Sequence, residues 1–393
     1  MSTQSTNPTT PAAPMASLED QVIHTGESKA GKEDRYYYAS QWELIRWRFG
    51  RHKLAVISLV LLIVLYLTAI FCEFIAPYTT DTRFEAFAQS NPSTIHWIKP
   101  GGSFGPYIFG TKKVLNKQTF VYDFGEDHNV VYPIQLFVHG DEYKMWELFK
   151  MDIHLFGIQT KDVPLLLFGA DRLGRDLFSR TVYGGRISLS IGLVGVIISF
   201  VLGVLLGGIS GYFGGVIDDI IQRVIDFLLS IPGIPLWMTL AAALPRDWPV
   251  LKLYFAITIM LSILGWTGLA RVVRGRLLTL REEDYALAAR GAGASDWRII
   301  TRHLLPGFTS HLIVSITFAI PGMILSETAL SFLGLGMMPP AVSWGVLLQD
   351  AQNLTAVAQQ TWLMIPAIWV IAAVLLFNFV GDGLRDAADP YNR

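Results

Sequence analysis

The chain has 393 residues, 52% of them hydrophobic and only 16% charged, where an ordinary soluble domain carries about 25% charge. Together with a mean hydropathy of +0.41, this deficit points to a membrane protein, and a formal net charge of −1 argues against a nucleic-acid partner, which calls for a basic face. The single cysteine, Cys72, excludes an intramolecular disulfide and any cysteine-cluster metal site.

Residues 1–40 are rich in Ser, Thr, Pro, Ala and Gln and show no apolar period, so a disordered cytoplasmic tail is expected. The first apolar run begins too late for a signal peptide. Residues 41–53 include Trp42-Glu43-Leu44-Ile45-Arg46-Trp47-Arg48-Phe49, an aromatic and basic mixture suited to a surface-lying helix or a juxtamembrane flank. Leu54 to Cys72 is an uncharged run of 19 residues, enough to cross a bilayer at about 1.5 Å per residue, and the first span is placed at 54–76. Arg46, Arg48, Arg51 and Lys53 hold its start in the cytoplasm. Bulky Phe71 makes Cys72 a buried thiol rather than a lipid-attachment site.

Residues 77–170 mix charges, Gly, Pro and aromatics, as in Val131-Tyr132-Pro133-Ile134-Gln135-Leu136-Phe137-Val138. They read as an external α/β or β-containing insert with short strands. Gly105-Pro106-Tyr107-Ile108-Phe109-Gly110-Thr111-Lys112 nearly imitates a phosphate loop, but it places Thr before Lys, and phosphate and magnesium need Lys followed by Ser or Thr. No other such motif occurs, so ATP hydrolysis is not expected in this chain. His96, His128, His139 and His154 lack metal-ligand spacing.

Gly169-Ala170-Asp171-Arg172-Leu173-Gly174-Arg175-Asp176 leads through Ser179-Arg180 to Tyr183-Gly184-Gly185-Arg186. Residues 171–186 are read as an amphipathic entry to the membrane with arginines at headgroup depth. Ile187 to Ile217 is uncharged over 31 residues and carries Gly203, Gly207, Gly211 and Gly215 at four-residue spacing, a smooth stripe for close helix packing. The next span, Phe227 to Pro245, is broken by Pro232 and Pro235. A short loop with Arg246, Asp247 and Lys252 then leads to Leu253 to Ala270.

Residues 271–311 hold seven arginines and no lysine, the strongest cytoplasmic signal in the chain. Arg271, Arg274 and Arg276 are expected among lipid headgroups. Leu312 to Ser326 continues past Glu327, for which an end-of-helix role is favoured over a pathway role. Residues 328–360 contain neither Lys nor Arg and belong outside; Thr361 to Gly381 is the last span, and 382–393 a cytoplasmic tail. The count is six transmembrane helices in an all-α polytopic protein, five of them in a core over 187–381, with both termini in the cytoplasm.

Within the arginine loop, Leu287-Ala288-Ala289-Arg290-Gly291-Ala292-Gly293 runs on to Arg302-His303-Leu304-Leu305-Pro306. This reads as two short helices hinged at Gly291 to Gly293 and ended by Pro306. The spacing resembles the loop by which membrane subunits of bacterial ABC importers grip their ATPases: Glu-Ala-Ala, three residues, Gly, nine residues, a hydrophobe, one residue, Leu-Pro. Ala288, Ala289, Gly293, Leu305 and Pro306 match; Leu287 and His303 depart from it. The dipeptide and oligopeptide branch shares those departures, with Ala288-Ala289-Arg290, Gly293-Ala294-Ser295-Asp296 and Arg302 to Pro306 fitting it, although Gly307 stands where Asn is usual. The Asp171–Arg180 block, the stretch Ser331-Phe332-Leu333-Gly334-Leu335-Gly336 with Pro339-Pro340 and Ser343-Trp344-Gly345, and Gly381 to Pro390 resemble the same branch.

The resemblance, over about residues 42–393 outside the insert, implies a C-type permease subunit of the dipeptide, oligopeptide and nickel importer family, of the type I fold, in a bacterial inner membrane. It further implies a paralogous permease forming a heterodimer, two ATPase subunits carrying ATP and Mg, an external solute-binding protein and a peptide-like substrate. The coupling residues would be Tyr285, Ala286, Ala288, Ala289, Arg290, Gly291, Gly293, Asp296 and Pro306. Asp171, Gly174, Arg175, Asp176, Arg180 and Glu327 would form the outer gate or a binding-protein contact. Alternatives are the same architecture serving nickel chelates, oligosaccharides or muropeptides; a channel; and a membrane-anchored enzyme using Asp152, His154 and Asp162 of the insert.

Overall fold

The computed structural model describes residues 40–99, 102, 104–115, 122–160, 163–245, 247–353 and 358–389. The expected disordered tail before Ser40 lies outside them, as do Asp162 and Arg246. Helix α1 (Gln41–Arg51) opens with a capping box: the Ser40 hydroxyl accepts from Glu43 N–H at 3.3 Å, and the Glu43 carboxylate accepts from Ser40 N–H at 2.9 Å. His52 Nδ1 then accepts from Ala55 N–H at 3.1 Å and caps α2 (Lys53–Ile70). A short helix, α3 (Cys72–Ile75), follows with the Cys72 thiol buried.

The insert is β-structure. Strands β1 (His96–Ile98), β2 (Phe104–Leu115) and β3 (Tyr122–Pro133) form one antiparallel sheet; β4 (Gln135–Met145) and β5 (Phe149–Gly157) form a separate hairpin. Several strands run 9 to 12 residues, longer than expected. The stretch Val131 to Val138 is divided at Ile134 between β3 and β4, because Ile134 N–H turns to Pro106 O at 3.0 Å. The phosphate-loop imitation lies in β2, paired to β3 from Tyr107 onward, and offers no loop of free N–H groups.

Helix α4 (Leu177–Phe213) is 37 residues long and takes in residues 177–186 of the segment expected to lie in the interface. Gly214 (φ +65°) and Gly215 (φ +56°) then turn the chain into α5 (Gly215–Ser230), and a break leads to α6 (Gly233–Ala242). The two are bent by 84°. Ile231, pushed to extended backbone (φ −95°, ψ 125°) by the proline after it, makes the break, while Pro235 sits harmlessly in the first turn of α6. This element therefore begins at Gly215 and not at Phe227.

Helix α7 (Val250–Leu280) precedes the arginine loop, with α8 (Asp284–Gly291) and the short α9 (Asp296–Arg298); α10 (Thr309–Phe332), α11 (Trp344–Gln349) and α12 (Ile365–Ala388) complete the chain. Among the described residues, five helical stretches are long and apolar enough to cross a membrane, and the bent α5–α6 pair makes up to six. Residues 382–388, expected as a tail, continue α12. The core joins Leu62 and Leu65 of α2, Leu189 and Ile191 of α4, Ile257 and Leu261 of α7, Ile324 of α10 and Phe377 of α12.

The most extensive helix–helix contact among the described residues is that of α4 with α7. A Cβ on Gly203 would lie 3.0 Å from Trp266 O, and one on Gly211 would lie 2.7 Å from Arg274 O; one on Gly207 would press on Ala270 O. Gly215, the fourth glycine of the stripe, faces open space and serves the turn instead. Ser262 Oγ reinforces the seam by donating to Gly195 O at 3.0 Å. Gly207→Ala is expected to force α4 from α7 and destabilise the purified chain by about 1–3 kcal/mol, as overpacking does. Gly275→Ala on α7, with nothing within 4 Å of its Cβ, should cost nothing. Thermal unfolding of both variants in detergent checks this, and equal melting temperatures would remove the seam's importance.

Candidate functional site

The arginine loop is a folded unit held to the end of α4. Helix α8 closes with Gly293 in the left-handed region (φ +79°), its N–H donating to Arg290 O at 3.0 Å while Ala294 N–H reaches back to Ala289 O at 3.1 Å. This is a Schellman cap. Gly291 is thus the last helical residue, and the turn falls at Ala292 to Ser295. Nor does Pro306 end the second helix. Residues Ile299–Leu304 widen into a π turn and Leu305–Phe308 tighten into a 3-10 turn that runs into α10. Proline lacks an N–H and its ring crowds the preceding turn, and this local change of pitch accommodates both.

Ala286 is buried with Val273, Leu277, Ile299, Ile300 and Leu304, so it supports the loop from within and is not available to a partner. Ala289 is half-buried; Tyr285, Leu287, Ala288, Gly291, Ala292 and Trp297 are exposed, and Pro306 is exposed nearer the membrane helix. Arg290 and Asp296 meet through a residue that pattern reading missed. The Tyr212 hydroxyl donates to Asp296 Oδ1 at 2.6 Å and accepts from Arg290 Nη2 at 3.1 Å, with the Arg290 guanidinium 5.4 Å from the Tyr212 ring centre. Arg281 Nη1 donates to Gly211 O at 3.3 Å and Tyr212 O at 3.1 Å, a cation on the last carbonyls of a long helix. Tyr212 escaped notice because it sits inside an apolar run; its one signal was a hydroxyl at the end of a glycine-rich span.

Two of the three arginines expected among headgroups are paired. Arg274 forms a two-point contact with Asp218, Nε and Nη2 each 2.5 Å from a carboxylate oxygen, and Arg271 Nη2 lies 2.5 Å from Asp226. These bonds hold α5 to α7. Arg276 lines a cavity of about 900 Å³ with His311, Phe318 and Arg385.

The second predicted group lies at the other end of α4, where Asp171, Asp176 and Arg180 are buried within the chain and Arg175 is half-buried. Asp171 accepts from Leu173 N–H (2.8 Å), Arg175 N–H (2.9 Å), Arg175 Nε (2.7 Å) and Arg180 Nη1 (2.5 Å). Gly174 (φ +74°) packs against the backbone of Phe84. Asp176 caps α4, accepting from Ser179 N–H at 2.8 Å and Ser179 Oγ at 2.6 Å. Burial pushes its carboxyl up to about 6, against the pull of those donors. Burial also raises Asp350, opposed by Arg172 at 3.3 Å.

Glu327 lies within α10 and is fully buried. Ser188 Oγ donates to it at 3.1 Å and Ser331 Oγ at 2.8 Å; Ser188 also accepts from Trp344 N–H at 3.1 Å, and Ser331 from Met337 N–H at 2.9 Å. Trp344 Nε1 donates to Thr181 O at 3.0 Å. Glu327 thus joins α10, α4 and α11. In the insert, His139 Nδ1 meets Asp152 at 2.8 Å, but His154 is fixed between Ala76 O (2.5 Å) and Asp141 O (3.0 Å). Asp152 and His154 thus bond to different partners, and Asp162, the third residue of the enzyme alternative, lies outside the described residues.

These features define a multi-pass helical membrane protein with a structured polar loop between its α7 and α10 spans. Residues 203–393 match the family described as the binding-protein-dependent transport system inner membrane component, and residues 40–93 match the N-terminal TM domain of oligopeptide transport permease C. The chain is 30% identical over 352 residues to the oligopeptide transport system permease protein OppC of Bacillus subtilis, covering 89% of this chain and 90% of that one. It is 32% identical over 364 residues to the dipeptide permease DppC of Lactococcus lactis, covering 92% and 93%. With DppC of Bacillus subtilis the identity is 41% over 225 residues, 57% of this chain and 68% of the other. The chain belongs to the family of inner membrane components of binding-protein-dependent transport systems. An inward-facing MetNI methionine ABC transporter superposes on 54% of this chain and 98% of its own at a TM-score of 0.44 and 19% identity, a likeness too distant to add to the sequence relationship.

Replacing Glu327 by Leu would strip the acceptor from two buried serine hydroxyls at about 1–3 kcal/mol each. Glu327→Gln keeps one carbonyl oxygen and is expected to lose less. Melting temperatures of the two purified variants measure the difference, and a Leu variant as stable as the parent would show that the hydroxyls do not depend on this carboxyl.

Proposed function

We propose that this chain is one of two paralogous permease subunits enclosing the pathway of an ATP-driven importer of dipeptides or oligopeptides in a bacterial inner membrane. Two separate ATPase subunits carry ATP and Mg, and an external solute-binding protein delivers the substrate. The observation that carries the reading is the arginine loop, a small-residue surface with Tyr285, Leu287 and Trp297 exposed around Ala288 and Ala292 and tied by Tyr212 and Arg281 to α4. The relatives named as dipeptide and oligopeptide permeases support the substrate class. The seven arginines of 271–311 support a cytoplasmic loop, with both termini on the same side.

Closure of the ATPase pair would displace α8, and the Tyr212 and Arg281 contacts would pass the displacement to α4. The bundle would then exchange inward for outward access as a population shift between two packings.

Gly293 separates this role from that of a connector. A β-carbon in the left-handed region costs about 1–2 kcal/mol, with further crowding for a β-branched residue, whereas asparagine tolerates that region. Gly293→Val is expected to disturb the turn and lower ATPase retention and transport-linked ATP turnover in the purified complex, with Gly293→Asn near normal. Leu287→Asp, on the exposed face, should lower retention without destabilising the chain. Full retention and turnover in both Gly293→Val and Leu287→Asp would reduce the loop to a connector. Sidedness has its own check: a cysteine at exposed Val130 should react with an impermeant reagent applied outside intact cells, and one at Ser295 only after permeabilisation. Outside labelling at 295 would overturn the orientation.

A further inference from the structure

The tip of the β4–β5 hairpin, Trp146-Glu147-Leu148, has no part in the coupling scheme, and its shape is unusual. Trp146 (φ 50°) and Glu147 (φ 62°) both occupy the left-handed region, uncommon for residues with a side chain and more so for one as bulky as Trp. The end of the first span holds them there. Trp146 Nε1 donates to Ile70 O at 2.9 Å, Trp146 N–H points at Glu73 Oε1 at 3.4 Å, and the Trp146 and Phe71 rings lie 5.6 Å apart. The hairpin tip is thereby set beside the last turn of α2.

That turn belongs to a helix whose outward face is apolar and uncovered: Leu67, Ile70 and Phe71 are all exposed large hydrophobics. The tip continues this surface, with Leu148 73% exposed, Phe149 60% and Trp146 45%. One residue pair away from the tip, Lys144 and Lys150 face each other across the hairpin. Like charges in direct register repel unless an anion or solvent lies between them. Glu147 lines the polar pocket behind the tip together with Glu73, Lys144 and Arg186, leaving Leu148 and Phe149 as the forward apolar group. An apolar, Trp-bearing tip with a lysine pair behind it, placed where a membrane span ends, matches the profile of the bilayer interface: acyl chains, then an amphipathic ring, then anionic headgroups.

We propose that the β4–β5 tip is a lipid-binding anchor, with Trp146, Leu148 and Phe149 entering the leaflet at which α2 ends and Lys144 and Lys150 at phosphate depth. The insert would then be held against the bilayer as well as against the bundle, which fixes its height over the core. The inference rests on membrane embedding alone and not on the substrate or the coupling loop.

The test uses nitroxide labels on the full chain, in the transporter as purified and returned to phospholipid nanodiscs containing phosphatidylglycerol. The native thiol, Cys72, is buried, so Leu148→Cys, or Phe149→Cys where the first labels poorly, gives one reporter. Leu67→Cys on the exposed face of α2 is the lipid reference and Val130→Cys in the insert the water reference. Collision with oxygen, which concentrates in lipid, is compared with collision with a water-soluble nickel chelate. An oxygen-to-nickel ratio at 148 or 149 several-fold above that at 130 and close to that at 67 is the expected result. A ratio like that at 130 would overturn the anchor, and so would shielding from both reagents, which would put a protein partner over the tip.

Discussion

The geometry of this chain depends on how closely α4 approaches α7. Gly203, Gly207 and Gly211 place no side chain of α4 against α7, and the backbone of Trp266, Ala270 and Arg274, with the side chains of Leu269 and Leu277, occupies the space. In a bilayer apolar association gains little from lipid exclusion, so close van der Waals contact and interhelical hydrogen bonds must hold helices together. The approach also sets the polar contacts beyond it. With α7 seated on the glycines, Arg274 reaches Asp218 on α5 and Arg281 reaches the last carbonyls of α4. Separating the two helices would strand these groups together, so the seam and the loop are energetically coupled.

The opposite end of α4 is ordered by charges brought indoors. Asp171 is surrounded by two arginines and two backbone N–H groups, and Glu73 by Arg186, which also donates to Ala69 O at 3.2 Å and Ile70 O at 3.0 Å. Removing one partner from such a pair leaves an uncompensated buried charge, far costlier than the pair itself is favourable. The pairs thus act chiefly as specificity devices: they fix the register of the insert, the start of α4 and the end of α2 against one another.

Much of this was legible in the sequence, and the failures have physical causes. Uncharged runs located the apolar helices, and the four-residue glycine spacing located the seam at three of its four positions. Gly215 failed because periodicity cannot tell a packing glycine from the first glycine of a turn. The headgroup reading of Arg180, Arg271 and Arg274 says nothing of their carboxylate partners, 9 to 56 positions away in sequence, which are visible only once the helices are packed. Pro306 was read as a stop because single-sequence rules do not anticipate a π turn that absorbs a proline. Tyr212 has no motif at all, and its role exists only where α4 meets the loop.

A consequence for movement follows from the two places where α4 is fastened to the α10 arm. At the loop end, Tyr212 is bonded to Asp296, which opens the helical stretch leading into α10. At the far end, Ser188 of α4 is bonded to Glu327 of α10 and to the backbone of Trp344. Two long helices joined near both ends by hydrogen bonds, with the glycine seam holding α7 alongside, form a frame that resists shear within itself. The breaks in regular helix lie at Ile231-Pro232 between α5 and α6 and at the π and 3-10 turns between α9 and α10. Under the proposed function, a push on α8 would pass through Tyr212 and Arg281 to α4 and, across the glycine seam, to α7. A loop that is itself well packed, with Ala286 at its centre, is what such transmission requires, because a floppy connector would absorb the displacement before it reached the spans.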